Sequence, residues 1–273
     1  MQNKTGSLLI IGGNEDKEND CLILRKFIAI AGGRDAKIAL ITTATELPRE
    51  VGDEYRTLFL GLGAESVAVI NINHREAAND KSNIVQVEKA SGIFFTGGDQ
   101  LRLTSILGGS GVDAAIRHAH ERGTIIAGTS AGASMMSDTM IVGGDSSDTP
   151  TKSSLSMAHG MGLLQEVVID QHFAQRGRIN RLLAAVAQNP HILGIGIDED
   201  TALLVNADRK CEIIGSQTIT ILDGKSIIHS NISESKQSDP LALTNVILHI
   251  LPFGFGFDIK RRNPFSIPSS KEE

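Results

Sequence analysis

A serine set between glycines closes a short apolar run in Thr124-Ile-Ile-Ala-Gly-Thr-Ser-Ala-Gly-Ala-Ser134. The core of the segment, Gly128-Thr-Ser-Ala-Gly132, fits Gly-x-Ser-x-Gly. That spacing lets a buried strand turn abruptly into a helix, because no Cβ obstructs the turn on either side of the serine. Ser130 then projects from the C-terminal edge of the strand as a candidate nucleophile. The helix expected over Ala131–Met140 would aim the Ala131 amide and its positive dipole end at an oxyanion. A Walker-type phosphate loop is excluded, since no Gly-Lys-Ser/Thr follows these glycines.

Such a serine needs a base, and the base needs an orienting carboxylate. Of eight histidines, His172 stands where the apolar run Val167-Val-Ile turns polar in Asp170-Gln-His. It therefore belongs at a strand end, where sites on α/β sheets assemble. His229 and His249 would suit the chain order of α/β-hydrolases but lie within apolar stretches. His118 and His120, two apart on a helix, point in different directions, and no His-Glu-x-x-His or cysteine cluster suggests a metal. The next polar strand end offers Asp198, Glu199 and Asp200, and spacing alone does not choose among the three.

The elements that must carry these residues read as β-α-β-α. Strands are expected at Leu8–Ile11, Lys37–Thr42, Val67–Asn71, Ile93–Thr96 and Thr124–Ala127, as unalternating apolar runs suited to a parallel sheet. Helical patterns at 17–31, 47–60, 82–90 and 112–122 separate them, and glycines end the first and last. This order predicts a three-layer α/β/α sandwich with right-handed crossovers. After residue 190 come closely spaced strand signals at Ile192–Ile197, Ala202–Asn206, Cys211–Gly215, Thr218–Leu222 and Ser226–His229. They are expected to extend the sheet as an antiparallel meander within one domain. Residues 263–273, polar and rich in Pro and Ser, are expected to fray.

The chain has 273 residues, 41% of them hydrophobic, and a net charge of −6. This excludes the basic footprint of a nucleic-acid binder. Its two cysteines, Cys21 and Cys211, build no disulfide framework. The N-terminal apolar run is too short for a signal peptide and no stretch reaches membrane length, so a soluble cytoplasmic protein is expected.

Four motifs in order then carry a resemblance. Phe95-Thr-Gly-Gly-Asp-Gln-Leu101, Gly128-Thr-Ser-Ala-Gly132, Asp170-Gln-His-Phe173 with Arg176-Gly-Arg178, and Gly194-Ile-Gly-Ile-Asp-Glu199 together resemble the cyanophycinases. These share a serine peptidase family with the aspartyl dipeptidases called peptidase E. The resemblance spans about Leu8 to Leu222 and implies a fold like that of class I glutamine amidotransferases. It further implies Ser130 as nucleophile, His172 as base, Glu199 as acid, and the Gly98 and Ala131 amides as oxyanion hole. Gln100, Asp170, Gln171, Arg178 and Arg181 match substrate-holding positions. One departure is that the acid motif reads Asp-Glu-Asp, where the family often has Asn third. The implied substrate is cyanophycin, poly-aspartate with arginine on each side-chain carboxyl, cleaved to β-Asp-Arg without metal or cofactor by a homodimer.

The residues add a check of their own. A helix is expected over Gln175–Gln188, with Ile179, Leu182, Leu183 and Val186 as its apolar stripe. Arg178 and Arg181 would share another face, available to substrate carboxylates. Asp170 would remain to meet a substrate guanidinium. Two alternatives are an aspartyl dipeptidase using the same serine and a non-catalytic binding protein on the same fold.

Overall fold

The computed structural model describes residues 5–144 and 149–268. In chain order the elements are β1 (Leu8–Ile11), α1 (Leu22–Ile30), β2 (Lys37–Ile41), α2 (Pro48–Gly61), β3 (Ser66–Ile70), α3 (Lys81–Glu88), β4 (Gly92–Phe95), α4 (Gln100–Leu107), α5 (Gly111–Glu121) and β5 (Ile125–Thr129). There follow α6 (Ala131–Ser134), β6 (Thr139–Gly143), β7 (Ser156–His159), β8 (Val167–Gln171), α7 (Ile179–Gln188), β9 (Leu193–Ile197), β10 (Thr201–Val205), β11 (Lys210–Gly215), β12 (Thr218–Asp223), β13 (Ile247–Pro252), β14 (Phe255–Asp258) and β15 (Asn263–Ser266).

A nine-stranded sheet forms the spine, in the order β15-β14-β11-β10-β1-β5-β4-β2-β3. The run from β1 to β3 is parallel. The run from β10 to β15 is antiparallel. The strand period of two divides the parallel half between two cores. Leu9, Ile11, Ile38, Leu40 and Phe94 pack on α1 and α2. Leu8, Ile10, Ala39, Ile41, Ile93 and Phe95 face the opposite layer, with Leu103, Leu107 and Ile116 of α4 and α5. On the first face Phe27, Tyr55, Phe59 and Phe94 form an aromatic cluster with centroids 5.1–5.7 Å apart. Each fully buried ring contributes about 1.5–3 kcal/mol through burial. The three-layer α/β/α expectation therefore describes the spine.

The strands after residue 190 do not simply extend that sheet. β10 and β11 do, pairing outward from β1. β9 and β12 instead join β8 and β13 in a second sheet, ordered β13-β12-β9-β8. β8 and β9 run parallel. Ile169, Ile195, Ile197, Ile219 and Ile221 of this sheet enter the larger core. Its outer face is covered by Leu182 and Val186 of α7. Ser226–His229, expected as a strand, is a loop that follows the Asp223-Gly224 turn, where the Lys225 amide donates to Asp223 Oδ1 at 2.8 Å.

Three other expectations are corrected. The helix over Ala131–Met140 ends at Ser134. The Met135 and Met136 carbonyls accept from the amides of Met161 and Leu164 instead of continuing a helix. Ser137 Oγ bonds back to the Ser134 and Thr139 carbonyls. The helix over Gln175–Gln188 begins only at Ile179, because Gly177 takes φ 59° and residues 172–178 close as turns. Asn263–Ser266, expected to fray, pairs as β15 with β14, while residues 269–273 of the same stretch lie outside the described residues. No helix among the described residues is long and apolar enough to cross a membrane.

Candidate active site

The site gathers at the C-terminal ends of β1, β5, β8 and β9. β5 delivers Ser130 on a turn with φ 53° and ψ −109°, a conformation a β-carbon opposes and only a well-determined surround maintains. The flanking glycines are obligatory here. A Cβ on Gly128 would lie 2.3 Å from the Gly132 carbonyl oxygen, and one on Gly132 would lie 2.6 Å from that of Phe95. The Ser130 amide donates to the Ile11 carbonyl at 3.0 Å, tying the turn to β1.

His172 follows β8, also at positive φ (48°). Its Nε2 lies 3.0 Å from Ser130 Oγ. Its Nδ1 lies 2.7 Å from Glu199 Oε1. With Nδ1 donating to the carboxylate, Nε2 is left as the acceptor for the serine proton. The neighbouring carboxylates are occupied elsewhere. Asp198 accepts from the Ala174 amide and from Thr218. Asp200 accepts from the Asp16 amide and the Ser216 hydroxyl. Of the three acids left open by spacing, Glu199 is the one that reaches the imidazole.

Burial pulls the His172 imidazole below its ordinary value of 6.5, the Glu199 hydrogen bond pulls it back up, and Arg176 and Arg178 add to the downward side. The ring is therefore largely neutral at neutral pH, as a general base must be. Glu199 is held below the usual carboxylate range, first by its hydrogen bond to His172 and also by that to Asn14.

The loop after β1 supplies residues that motif reading missed. Gly13 (φ 103°) makes room for the imidazole: a Cβ there would lie 2.3 Å from His172 Cε1. The Gly12 carbonyl accepts from the His172 amide at 2.8 Å, and that of Gly13 from the Asp200 amide at 2.9 Å. Asn14 Nδ2 donates to Glu199 Oε2 at 3.1 Å. Glu15, buried, accepts from Thr129 Oγ1 at 2.6 Å and from the Tyr55 hydroxyl. Burial, reinforced by Glu15, pushes the Tyr55 phenol well above its ordinary value. The signal was a Gly-Gly pair directly after the central strand, followed by polar residues. A cavity of about 320 Å³ lined by Asn14, Glu15, Lys17, Tyr55, Gly97 and His172 among others opens beside Ser130.

Gly97-Gly98 lies against the same serine. A Cβ on Gly97 would stand 3.9 Å from Ser130 Oγ, and Gly98 (φ 141°) passes so close to Ala44 that a Cβ would lie 2.1 Å from its carbonyl oxygen. Ala131 opens α6 directly after Ser130. Asp99 caps α4, accepting from the amides of Leu101 and Arg102. Gln100 Nε2 donates to the Ile141 carbonyl at 2.8 Å.

The arginine cluster differs from expectation. Asp170 has no exposed surface, and Arg178 and Arg181 are buried with it. Arg181 grips both Asp170 oxygens, with Nε at 2.6 Å from Oδ2. Arg178 contacts Asp170 Oδ1 at 3.3 Å, Gln171 Oε1 at 3.0 Å and the Gln171 carbonyl. Burial pushes the Arg178 guanidinium down to about 10, opposed by Asp170. Charges taken out of water need partners, and in this structure the chain supplies them itself. The pair does not stand free on a helix face, and Asp170 is not left open. Among the described residues no cluster of three or more His, Cys, Asp and Glu is placed to hold a metal ion.

The family model for peptidase family S51 matches residues 8–213. The chain belongs to peptidase family S51. This S51 chain is a hydrolase, a serine-type peptidase. It is 42% identical over 261 residues to a cyanophycinase from Geminocystis herdmanii, covering 95% of this chain and 96% of that protein. It is 41% identical over 257 residues to a cyanophycinase from Trichormus variabilis, covering 94% and 86%. In three dimensions the S51 chain is similar to a crystal structure of a peptidase from an acI-B1 actinobacterium, with TM-score 0.70, 20% identity, and 97% and 98% of the two chains covered. A putative peptidase E from Listeria monocytogenes EGD-e aligns with TM-score 0.54 and 17% identity, covering 77% and 98%. These two likenesses concern the fold.

Proposed function

We propose that the chain hydrolyses the poly-aspartate backbone of cyanophycin, releasing β-Asp-Arg dipeptides as an exopeptidase through an acyl-enzyme on Ser130. The observation that carries the reading is the continuous chain Ser130 Oγ–His172–Glu199, at 3.0 and 2.7 Å. His172 Nε2 takes the Ser130 proton as Oγ attacks the peptide carbonyl between backbone aspartates. Glu199 orients the imidazole and stabilises its charged form. The oxyanion is held by the Gly98 and Ala131 amides, a role favoured by the closeness of Gly97-Gly98 to Ser130 and by the position of Ala131 at the start of α6. His172 then protonates the leaving amine, and water repeats the sequence on the ester.

By the family resemblance, Gln100, Asp170, Gln171, Arg178 and Arg181 are the residues that hold the substrate. Supporting this is their place beside His172; because Asp170 has no exposed surface, a substrate charge reaches the two arginines by displacing their bonds to it. The near-full-length similarity to curated cyanophycinases supports the substrate. By the same resemblance the enzyme acts as a homodimer, and sedimentation as a monomer at working concentration would retire the dimer.

The test is mass analysis of products from purified cyanophycin. β-Asp-Arg is the expected product, with Ser130→Ala slower on the order of 10⁴- to 10⁶-fold. Hydrolysis of Asp-Leu-type dipeptides with cyanophycin untouched would assign the chain to aspartyl dipeptidases instead. Wild-type activity in Ser130→Ala would overturn the mechanism.

A further inference from the structure

The end of β1 and the loop after it touch each member of the site. The carbonyl of Ile11, the last residue of β1, holds the Ser130 amide, and within the loop the carbonyls of Gly12 and Gly13 hold the His172 and Asp200 amides. Only at Asn14 does a side chain of this loop reach the catalytic carboxylate directly. Glu199 is partly exposed, and its two oxygens have different partners: Oε1 faces His172 Nδ1, and Oε2 receives Asn14 Nδ2 at 3.1 Å. The Glu199 amide is also fixed, donating to Gln175 Oε1 at 3.1 Å. Asn14 sits at φ 47°, left-handed backbone that asparagine tolerates better than most residues.

We infer that Asn14 is a positioning residue: its amide nitrogen holds Glu199 Oε2 so that Oε1 alone meets His172. A carboxylate on a partly solvated glutamate has several rotamers, and a donor on the second oxygen selects the one in which the first points at the imidazole. The inference rests on the proposed roles of Ser130, His172 and Glu199. It predicts that the chemical nature of residue 14, donor against acceptor, sets both turnover and the ionisation of the base.

The charged groups facing His172 are few and named. Glu199, with Asp200 beside it, comes from the β9–β10 turn. Arg176 and Arg178 come from its own turn, and Glu15, Lys17 and Glu54 line the shared cavity. An aspartate at position 14 would add one more negative charge on the Glu199 side. With both carboxylates ionised, the added charge raises the proton affinity of His172 and the acidic limb of activity moves to higher pH.

Two variants separate positioning from packing. Asn14→Gly removes the donor while relaxing the positive φ, and Asn14→Asp keeps size but replaces donor by acceptor. The assay is the pH profile of kcat and KM on cyanophycin, with thermal melting and Ser130→Ala run in parallel. For Asn14→Gly the expected result is a kcat loss of about five- to tenfold, with KM within about twofold and an unmoved acidic limb. For Asn14→Asp a larger loss is expected, with the acidic limb raised by about half a pH unit or more. Equal losses in both variants without a moved limb, or an Asn14→Asp profile that overlays the parent, would overturn the inference. Activity persisting in Ser130→Ala would instead mark failure of the underlying mechanism.

Discussion

The imidazole of His172 is poised between two opposing influences. Burial lowers its proton affinity and Glu199 raises it, with burial the larger. As the base must be neutral, activity falls when pH drops through the free enzyme's His172 value, which burial holds below the ordinary 6.5. The midpoint of the acidic limb of kcat/KM is therefore expected below 6.5. Glu199→Gln removes the upward influence, so its acidic limb is expected at lower pH still, with turnover reduced on the order of 10³-fold or more. A rise of the limb in that variant would contradict the assignment of Glu199 as the partner of the base. At this scale Ser130 and His172 were legible because glycines and a polar strand end announce them. The choice among Asp198, Glu199 and Asp200 was not. Alternation ends at Asp200, which adopts φ 47°, and each acid turns to a different partner. Nor could residue types show that Asp170 would meet this chain's own arginines: Asp170 lies in β8, and the two arginines lie beyond a turn whose path depends on Gly177.

Among the elements, the loop between β1 and α1 does more to build the site than its lack of regular structure suggests. Gly13 is the position to test. A methyl group there would occupy the space of the imidazole, 2.3 Å from Cε1, on backbone at φ 103°. Gly13→Ala is expected to displace the His172 ring and lower kcat/KM by about 10²-fold or more, since an ångström of misplacement costs that much. An active Gly13→Ala enzyme with unchanged kcat/KM would show that the ring does not work from the place it occupies here. The strands of the parallel half and its helices α1, α2, α3 and α5 were readable within a few residues from their apolar runs and terminal glycines, whereas α4 (Gln100–Leu107) was not expected. The short α6 was overextended, because the local pattern stays apolar through Met135 and Met136. What ends the helix is the segment around Met161–Leu164 taking their carbonyls, a partner distant in sequence. β14 and β15 escaped notice for a similar reason. Their strand character rests on pairing, β14 with β11 and β15 with β14, rather than on a strong local period.

At the scale of the molecule, two sheets with different partners converge on one place. The spine delivers Ser130 from β5 and the glycine loop from β1, whereas the smaller sheet delivers His172 from β8 and Glu199 from the end of β9. The triad is thus assembled across the boundary between the sheets. The Gly12 carbonyl to His172 amide bond and the Gly13 carbonyl to Asp200 amide bond are two of its fasteners. The sequence pattern showed the strands on both sides but not their division between two sheets. Strand signals in close succession look alike whether consecutive strands pair or alternate between sheets. The central claim is that Ser130, activated by His172, becomes acylated. The most direct measurement is peptide mapping by mass spectrometry after treatment with a serine-directed acylating inhibitor. A single adduct on the peptide carrying Ser130, formed in step with loss of cyanophycin hydrolysis and absent from His172→Ala, is the predicted result. Complete loss of hydrolysis with the adduct on another residue, or full hydrolysis by protein stoichiometrically labelled at Ser130, would contradict it.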